Sequence, residues 1–122
     1  MVPRLMCLVS STDDLSLLPA LVDAGVDCFQ VRDKTLSGRS LVRLTTVVLE
    51  TGATVVVNDR ADVALAAGAH GVHVGASDVD ARDVRRFAAA GVDHIVLMPP
   101  NDAALPEYYA AAAEVGRLVG GR

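Results

Sequence analysis

The sequence predicts a single parallel α/β domain of about five βα units, and three observations carry that expectation. First, one junction recurs: Ala24-Gly25-Val26-Asp27, Ala67-Gly68-Ala69-His70 and Ala90-Gly91-Val92-Asp93 each close a helical pattern and begin a strand pattern at once, with Gly52 at a like position. The residue after a helix often takes the left-handed conformation, which glycine adopts without steric cost. Repetition of one helix-Gly-strand unit points to βα units. Second, the strand patterns are short β-branched runs, and the chain is 52% apolar but only 3% aromatic. Its core must be built from Val, Leu and Ala, as buried parallel strands and their covering helices are. Third, the polar clusters Gln30-Val31-Arg32-Asp33-Lys34, Asn58-Asp59-Arg60 and Gly75-Ala76-Ser77-Asp78 each follow an apolar run and precede a helical pattern. Such positions gather on the rim where parallel α/β proteins bind ligands.

The elements follow in order. Strand one is read over Leu5–Val9, and its helix begins after the capping cluster Ser11-Thr12-Asp13-Asp14. Strand two covers Cys28–Arg32, and its helix runs from Gly38 to Glu50 on the apolar series Leu41, Leu44, Val48. Strand three is Thr54–Val57, with a short helix Ala61–Ala67. Strand four is Gly71–Val74, with a helix over Asp80–Ala90. Strand five is His94–Met98, followed by Pro99-Pro100 and a last helix over Leu105–Val119. The 122 residues make one domain, with no linker or low-complexity tract.

A net charge of -4 without any Lys/Arg run argues against nucleic acid or anionic membrane as partner, since either needs concentrated positive charge. Cys7 and Cys28 both sit in apolar runs, which fits a reduced setting better than a disulfide framework. The start Met1-Val2-Pro3-Arg4 has no signal-peptide pattern, and no apolar run reaches the about 18 residues of a membrane helix. The expectation is a soluble, cytoplasmic protein.

Side chains alternate along a strand, so Gln30, Arg32 and, where extended geometry persists, Lys34 share one side. They suit either an anion site, with Arg as a planar fork and Lys as a point charge, or a solvated salt-bridge face. Asp59 and Asp78 lie nineteen residues apart, about one short βα unit. On neighbouring strands about 4.8 Å apart, both carboxylates reach one ion, and Mg²⁺ takes one or two carboxylates plus water and substrate phosphate. Alternatively, Asp59 starts a turn and Asp78 caps a helix. Asn58 either donates its amide to phosphate or closes its turn. His73 is expected to be a buried, hydrogen-bonded histidine, His70 and His94 to lie at the opposite end of the sheet, and Arg60 and Asp62 to sit on an exposed helix face.

Taken together, Gln30-Val31-Arg32-Asp33-Lys34, Val57-Asn58-Asp59-Arg60-Ala61-Asp62-Val63-Ala64, and Gly71-Val72-His73-Val74-Gly75 with Asp78 resemble the thiamine phosphate synthase family and its TenI-like relatives, over about Leu5 to Arg86. The resemblance implies a (β/α)8 (TIM) barrel transferase of thiamine biosynthesis. Such an enzyme joins aminopyrimidine methyl diphosphate to thiazole phosphate and releases diphosphate with Mg²⁺ assistance, through a pyrimidine methyl cation that the thiazole nitrogen captures. It implies Gln30, Arg32, Lys34 and Asn58 as pyrimidine-diphosphate contacts, with Arg32, Lys34 and Asn58 catalytic, and Asp59 and Asp78 as magnesium ligands. Retention of both aspartates favours synthase chemistry over the TenI-type tautomerase.

Two departures qualify that expectation. Ala76-Ser77 replaces the family's usual Gln, and nothing after the fourth helix resembles the family's thiazole-phosphate half, such as its Pro-Thr-x-x-Lys loop. A complete barrel also takes about 250 residues. The expected molecule is therefore a partial TIM barrel, either truncated, a recombined fragment or a natural half-barrel, whose open sheet edges favour a homo-oligomer. The rival readings are a non-catalytic, phosphate-binding or oligomerising half-barrel module and a flavodoxin-like five-stranded domain. The flavodoxin-like reading is disfavoured because Ser10-Ser11-Thr12-Asp13-Asp14 stands where a Gly-rich loop belongs.

Overall fold

The structure, a computed structural model, describes residues 3–75, Ala89 and the backbone of the strand His94–Met98. Its strands are β1 (Met6–Val9), β2 (Cys28–Val31), β3 (Thr54–Asn58), β4 (Gly71–Gly75) and β5 (His94–Met98). Its helices are α1 (Leu18–Asp23), α2 (Gly38–Leu49) and α3 (Ala61–Ala67), and α1 is entered through a 3-10 turn at Leu15–Leu17. The helix expected over Asp80–Ala90 lies outside the described residues except for Ala89, which is helical. The one expected over Leu105–Val119 lies wholly outside them.

All five strands are parallel and stand in sequence order, β1-β2-β3-β4-β5. Strand alternation then sorts the side chains. Val9, Phe29, Val31, Val55, Val57, Val72 and Val74 share one face and form a single core with Leu18, Leu41, Leu44, Val48, Val63 and Ala64 of the helices. At about 1.5–3 kcal/mol for each large side chain fully buried, this layer dominates the stability of the described part. The sheet grows in one direction, and among the described residues its helices cover one face, a singly wound arrangement as in a barrel. A flavodoxin-like fold reverses its strand order and carries helices on both faces. The flavodoxin-like alternative is thereby excluded.

Local sequence explains the elements. In α2, Leu41, Leu44, Thr45 and Val48 are buried at helical spacing, and the Thr45 hydroxyl donates to the Leu41 carbonyl at 2.8 Å. Ser37 caps α2 by accepting from the Ser40 amide. Asp14 caps the 3-10 turn, accepting from the Ser16 amide at 3.0 Å, and Pro19 sits in the first turn of α1, where no amide is needed. Gly68 ends α3 in the left-handed region at φ 74°. Gly25 and Gly52 take the same region at the other two described junctions.

The opposite face of the sheet carries Met6, Leu8, Cys28, Gln30, Thr54, Val56, Asn58, Gly71 and His73, in parity with one another across the ladder. Cys28, Gln30 and Val56 are buried there. Both cysteines are free. Burial, with the Asp27 charge beside it, pushes the Cys28 thiol up to about 11. Leu8 on β1, at the sheet's edge among the described strands, is 54% exposed.

Candidate functional site

The carboxyl ends of β1 to β4 place Ser10–Asp13, Arg32–Lys34, Asn58–Arg60 and Gly75 on one rim. Just beneath that rim, a polar chain crosses the face opposite the helices. Gln30 is 4% exposed; its amide nitrogen donates to the Met6 sulfur at 3.3 Å, and its oxygen accepts from His73 Nδ1 at 2.8 Å. An amide oxygen only accepts, so the His73 proton is on Nδ1 and Nε2 is a bare acceptor. Nε2 is buried and has no hydrogen-bond partner among the described residues. Burial lowers the His73 pKa; the Asp59 charge opposes that and the Arg32 charge adds to it, so the ring is neutral at neutral pH. One imidazole thus lies within the fields of both a rim carboxylate and a rim guanidinium.

Asp59 has the described chain's one positive φ outside glycine, 61°. Its amide donates to the His73 carbonyl at 2.8 Å, and the Arg60 amide turns back to the Asn58 carbonyl at 2.7 Å. This tight γ-type turn ends β3 and costs about 1–3 kcal/mol in backbone strain. Its effect is to lift an exposed carboxylate off the strand end. Among the described residues, that carboxylate accepts no hydrogen bond and joins no ion pair. Asn58 is half-buried on the same face as His73, with which it pairs in register.

Arg32 and Lys34 are exposed. The Arg32 amide still bonds to the Val9 carbonyl at 2.9 Å, so strand parity extends through Arg32. At Lys34 the chain is already bending, because the Asp33 carboxylate accepts from the Thr35 amide at 2.8 Å and the Leu36 amide at 3.2 Å. Alternation therefore groups Gln30 with Arg32, while Lys34 reaches the rim on a loop. Arg60 pairs in fork fashion with Asp62 at 2.9 and 3.0 Å, as the exposed-face reading expected. His70 lies at the far end, where its Nδ1 accepts from the Val55 amide at 3.0 Å. His94 pairs in register with Gly71 at the start of β4.

Asp78 and Ala76-Ser77 lie outside the described residues. Among the described residues no group of three or more His, Cys, Asp or Glu side chains converges as a metal cage. A magnesium ion completed by phosphate and water would take only one or two carboxylates from the protein. Asp59 fits that role.

His73 is hydrogen-bonded as the sequence leads one to expect, and the structure adds its partner, Gln30. Asp33 has no role assigned from the sequence; its place on the rim emerges from its bonds to Ser11 and Thr35.

A singly wound parallel sheet with a cationic and carboxylate rim at its strand ends defines a class: part of a (β/α)8-type barrel. The model of the family described as thiamine monophosphate synthase matches residues 3–95, and the chain belongs to that family. Its relatives include thiamine-phosphate synthases from Methanoculleus marisnigri, 45% identical over 64% of this chain and 38% of that protein. Those from Chlorobium luteolum and Agrobacterium fabrum are 36% and 45% identical over 71% and 69% of this chain, and over 44% and 42% of their own lengths. The chain thus matches about two fifths of the length of these relatives.

Among solved structures, a thiamine phosphate pyrophosphorylase from Pyrococcus furiosus superposes with a TM-score of 0.54 at 18% identity, covering 78% of this chain and 60% of that one. A muconate lactonizing enzyme from Klebsiella pneumoniae gives 0.57 at 14% identity, covering 97% and 44%. At such identities the likeness is one of fold.

Proposed function

We propose that this chain provides the magnesium–diphosphate part of a thiamine phosphate synthase-like site, binding aminopyrimidine methyl diphosphate for transfer to thiazole phosphate. The single observation that carries this reading is the convergence on His73: Gln30 bonded to it, Asp59 anchored on its carbonyl, and the charges of Arg32 and Asp59 both acting on its ring. Arg32 and Lys34 supply fixed positive charge to the departing diphosphate, and Asn58 donates to its oxygens. Charge grows on those oxygens as the bond to the pyrimidine methylene breaks, so fixed cations favour the transition state over the ground state. Asp59, with Asp78 as the second ligand, would hold Mg²⁺, which neutralises the leaving group when bound. Gln30 and the neutral His73 line the apolar floor as directional polar contacts.

The compartment we propose is cytoplasmic: both thiols are free and one is buried, and among the described residues no helix is long and apolar enough to cross a membrane. The exposed Leu5 and Leu8 at the β1 edge support self-association as part of the same proposal. They also favour the second reading, a non-catalytic half-barrel that only binds phosphate and assembles. Incubation with Mg²⁺, aminopyrimidine methyl diphosphate and thiazole phosphate separates the two. Formation of thiamine phosphate supports the transferase; diphosphate binding without product supports the module.

A further inference from the structure

Asp33 stands between the two cations of the rim, where a bare carboxylate would repel a diphosphate. Its oxygens are instead engaged locally. One carboxylate oxygen accepts from the amide of Ser11 at 2.9 Å and from the Ser11 hydroxyl. The other accepts from the Thr35 hydroxyl at 2.6 Å, the Thr35 amide at 2.8 Å and the Leu36 amide at 3.2 Å. Five donors fill the about four lone-pair sites of a carboxylate, leaving none for a metal or a substrate proton. Ser11 follows β1, whereas Thr35 and Leu36 lead into α2, so the contacts tie two loops together across the sheet.

We propose that Asp33 is a positioning residue of the anion site, a clamp whose bonds to Ser11 on one side and Thr35–Leu36 on the other fix Arg32 and Lys34. The step from contact to role is geometric. The Arg32 amide is held by Val9 from the strand side, and beyond it Asp33 is the only residue before Lys34. Without the clamp, Lys34 sits on a free loop between β2 and α2. Charge-assisted bonds to a carboxylate are also among the stronger ones available at a surface. The proposal rests on the diphosphate reading for its ligand but not for its geometry.

Two measurements test it on the full chain. The first is calorimetry with inorganic diphosphate and Mg²⁺ on the wild type, Asp33→Asn and Thr35→Val, each also melted to confirm folding. Asp33→Asn turns amide hydrogens toward one set of donors; Thr35→Val removes a single hydroxyl. The expected result is a dissociation constant raised about tenfold or more in Asp33→Asn, and less in Thr35→Val, at temperatures where both are fully folded. Unchanged affinity in a folded Asp33→Asn would overturn the clamp. The second is backbone ¹⁵N relaxation without ligand, where Asp33→Asn should loosen Ser11 and Lys34 together. If the wild type binds no diphosphate, the functional reading fails and this measurement alone decides the clamp: rigid Ser11 and Lys34 in the variant would refute it.

Discussion

Gln30 on β2 and His73 on β4 meet at 2.8 Å, reaching across the intervening β3. Because Val56 is the β3 residue paired with Gln30, an apolar side chain underlies the contact, and the bond forms in a dry layer just below the rim.

Replacing Gln30 with Leu would leave His73 Nδ1 as a buried donor without a partner. The expected cost is about 1–3 kcal/mol, read as a fall of several degrees in melting temperature. Removing both polar groups in Gln30→Leu/His73→Phe should cost less than the sum of the two single changes. Strict additivity in that cycle would show that the pair is not coupled.

Asp59 offers a test of strain held for a purpose. Its left-handed backbone should tolerate Asp59→Gly with no loss of stability, whereas Asp59→Val, β-branched at positive φ, should lose about 1–3 kcal/mol. Both variants should lose magnesium-dependent diphosphate affinity. A stable Asp59→Val would mean that the turn is not strained.

Acid should loosen the rim through Asp33. Hydrogen bonds from Ser11 and Thr35 hold its carboxyl well below the ordinary value of 3.8. A depressed folded pKa contributes stability that is complete above the unfolded value and lost as pH falls through the folded one. The melting temperature should therefore decline below about pH 4, and less steeply in Asp33→Asn. Asp14, Asp27 and Asp62 are shifted the same way by their own hydrogen bonds, so the slope is reduced rather than abolished. Parallel acid curves for wild type and variant would contradict the assignment.

The two thiols should differ in reactivity. Cys28 is fully buried and its thiol sits near 11, so almost no thiolate is present at pH 8; Cys7 is only partly buried. Titration of the native chain with a thiol reagent should show one fast equivalent at Cys7, with Cys28 reacting only on unfolding. Equal rates would point to an open sheet face.

The repeated junctions made the fold legible, because a left-handed glycine after a helix is a local requirement written in the chain. Gly25, Gly52 and Gly68 mark those ends, and α3 and β5 fall on the expected bounds. Parity likewise placed Gln30 and Arg32 on one side. What stayed hidden depends on neighbours distant in sequence. The His73–Gln30 bond spans 43 residues and the Asp33–Ser11 bond 22, and no local pattern encodes either. Whether extended geometry persists to Lys34 was open in the sequence for a related reason: it ends because Asp33 accepts from the Thr35 and Leu36 amides. The 3-10 entry to α1 shortened a helix that the capping cluster had suggested would begin sooner.

The central claim is that Arg32, Lys34 and Asp59 serve one magnesium–diphosphate pair, and calorimetry reads it directly. Diphosphate should bind the wild type in Mg²⁺, lose most of its affinity when the metal is chelated, and lose it equally in Asp59→Asn with Mg²⁺ present. Equal affinity with and without Mg²⁺, or an Asp59→Asn titration that overlays the wild type, would contradict the account.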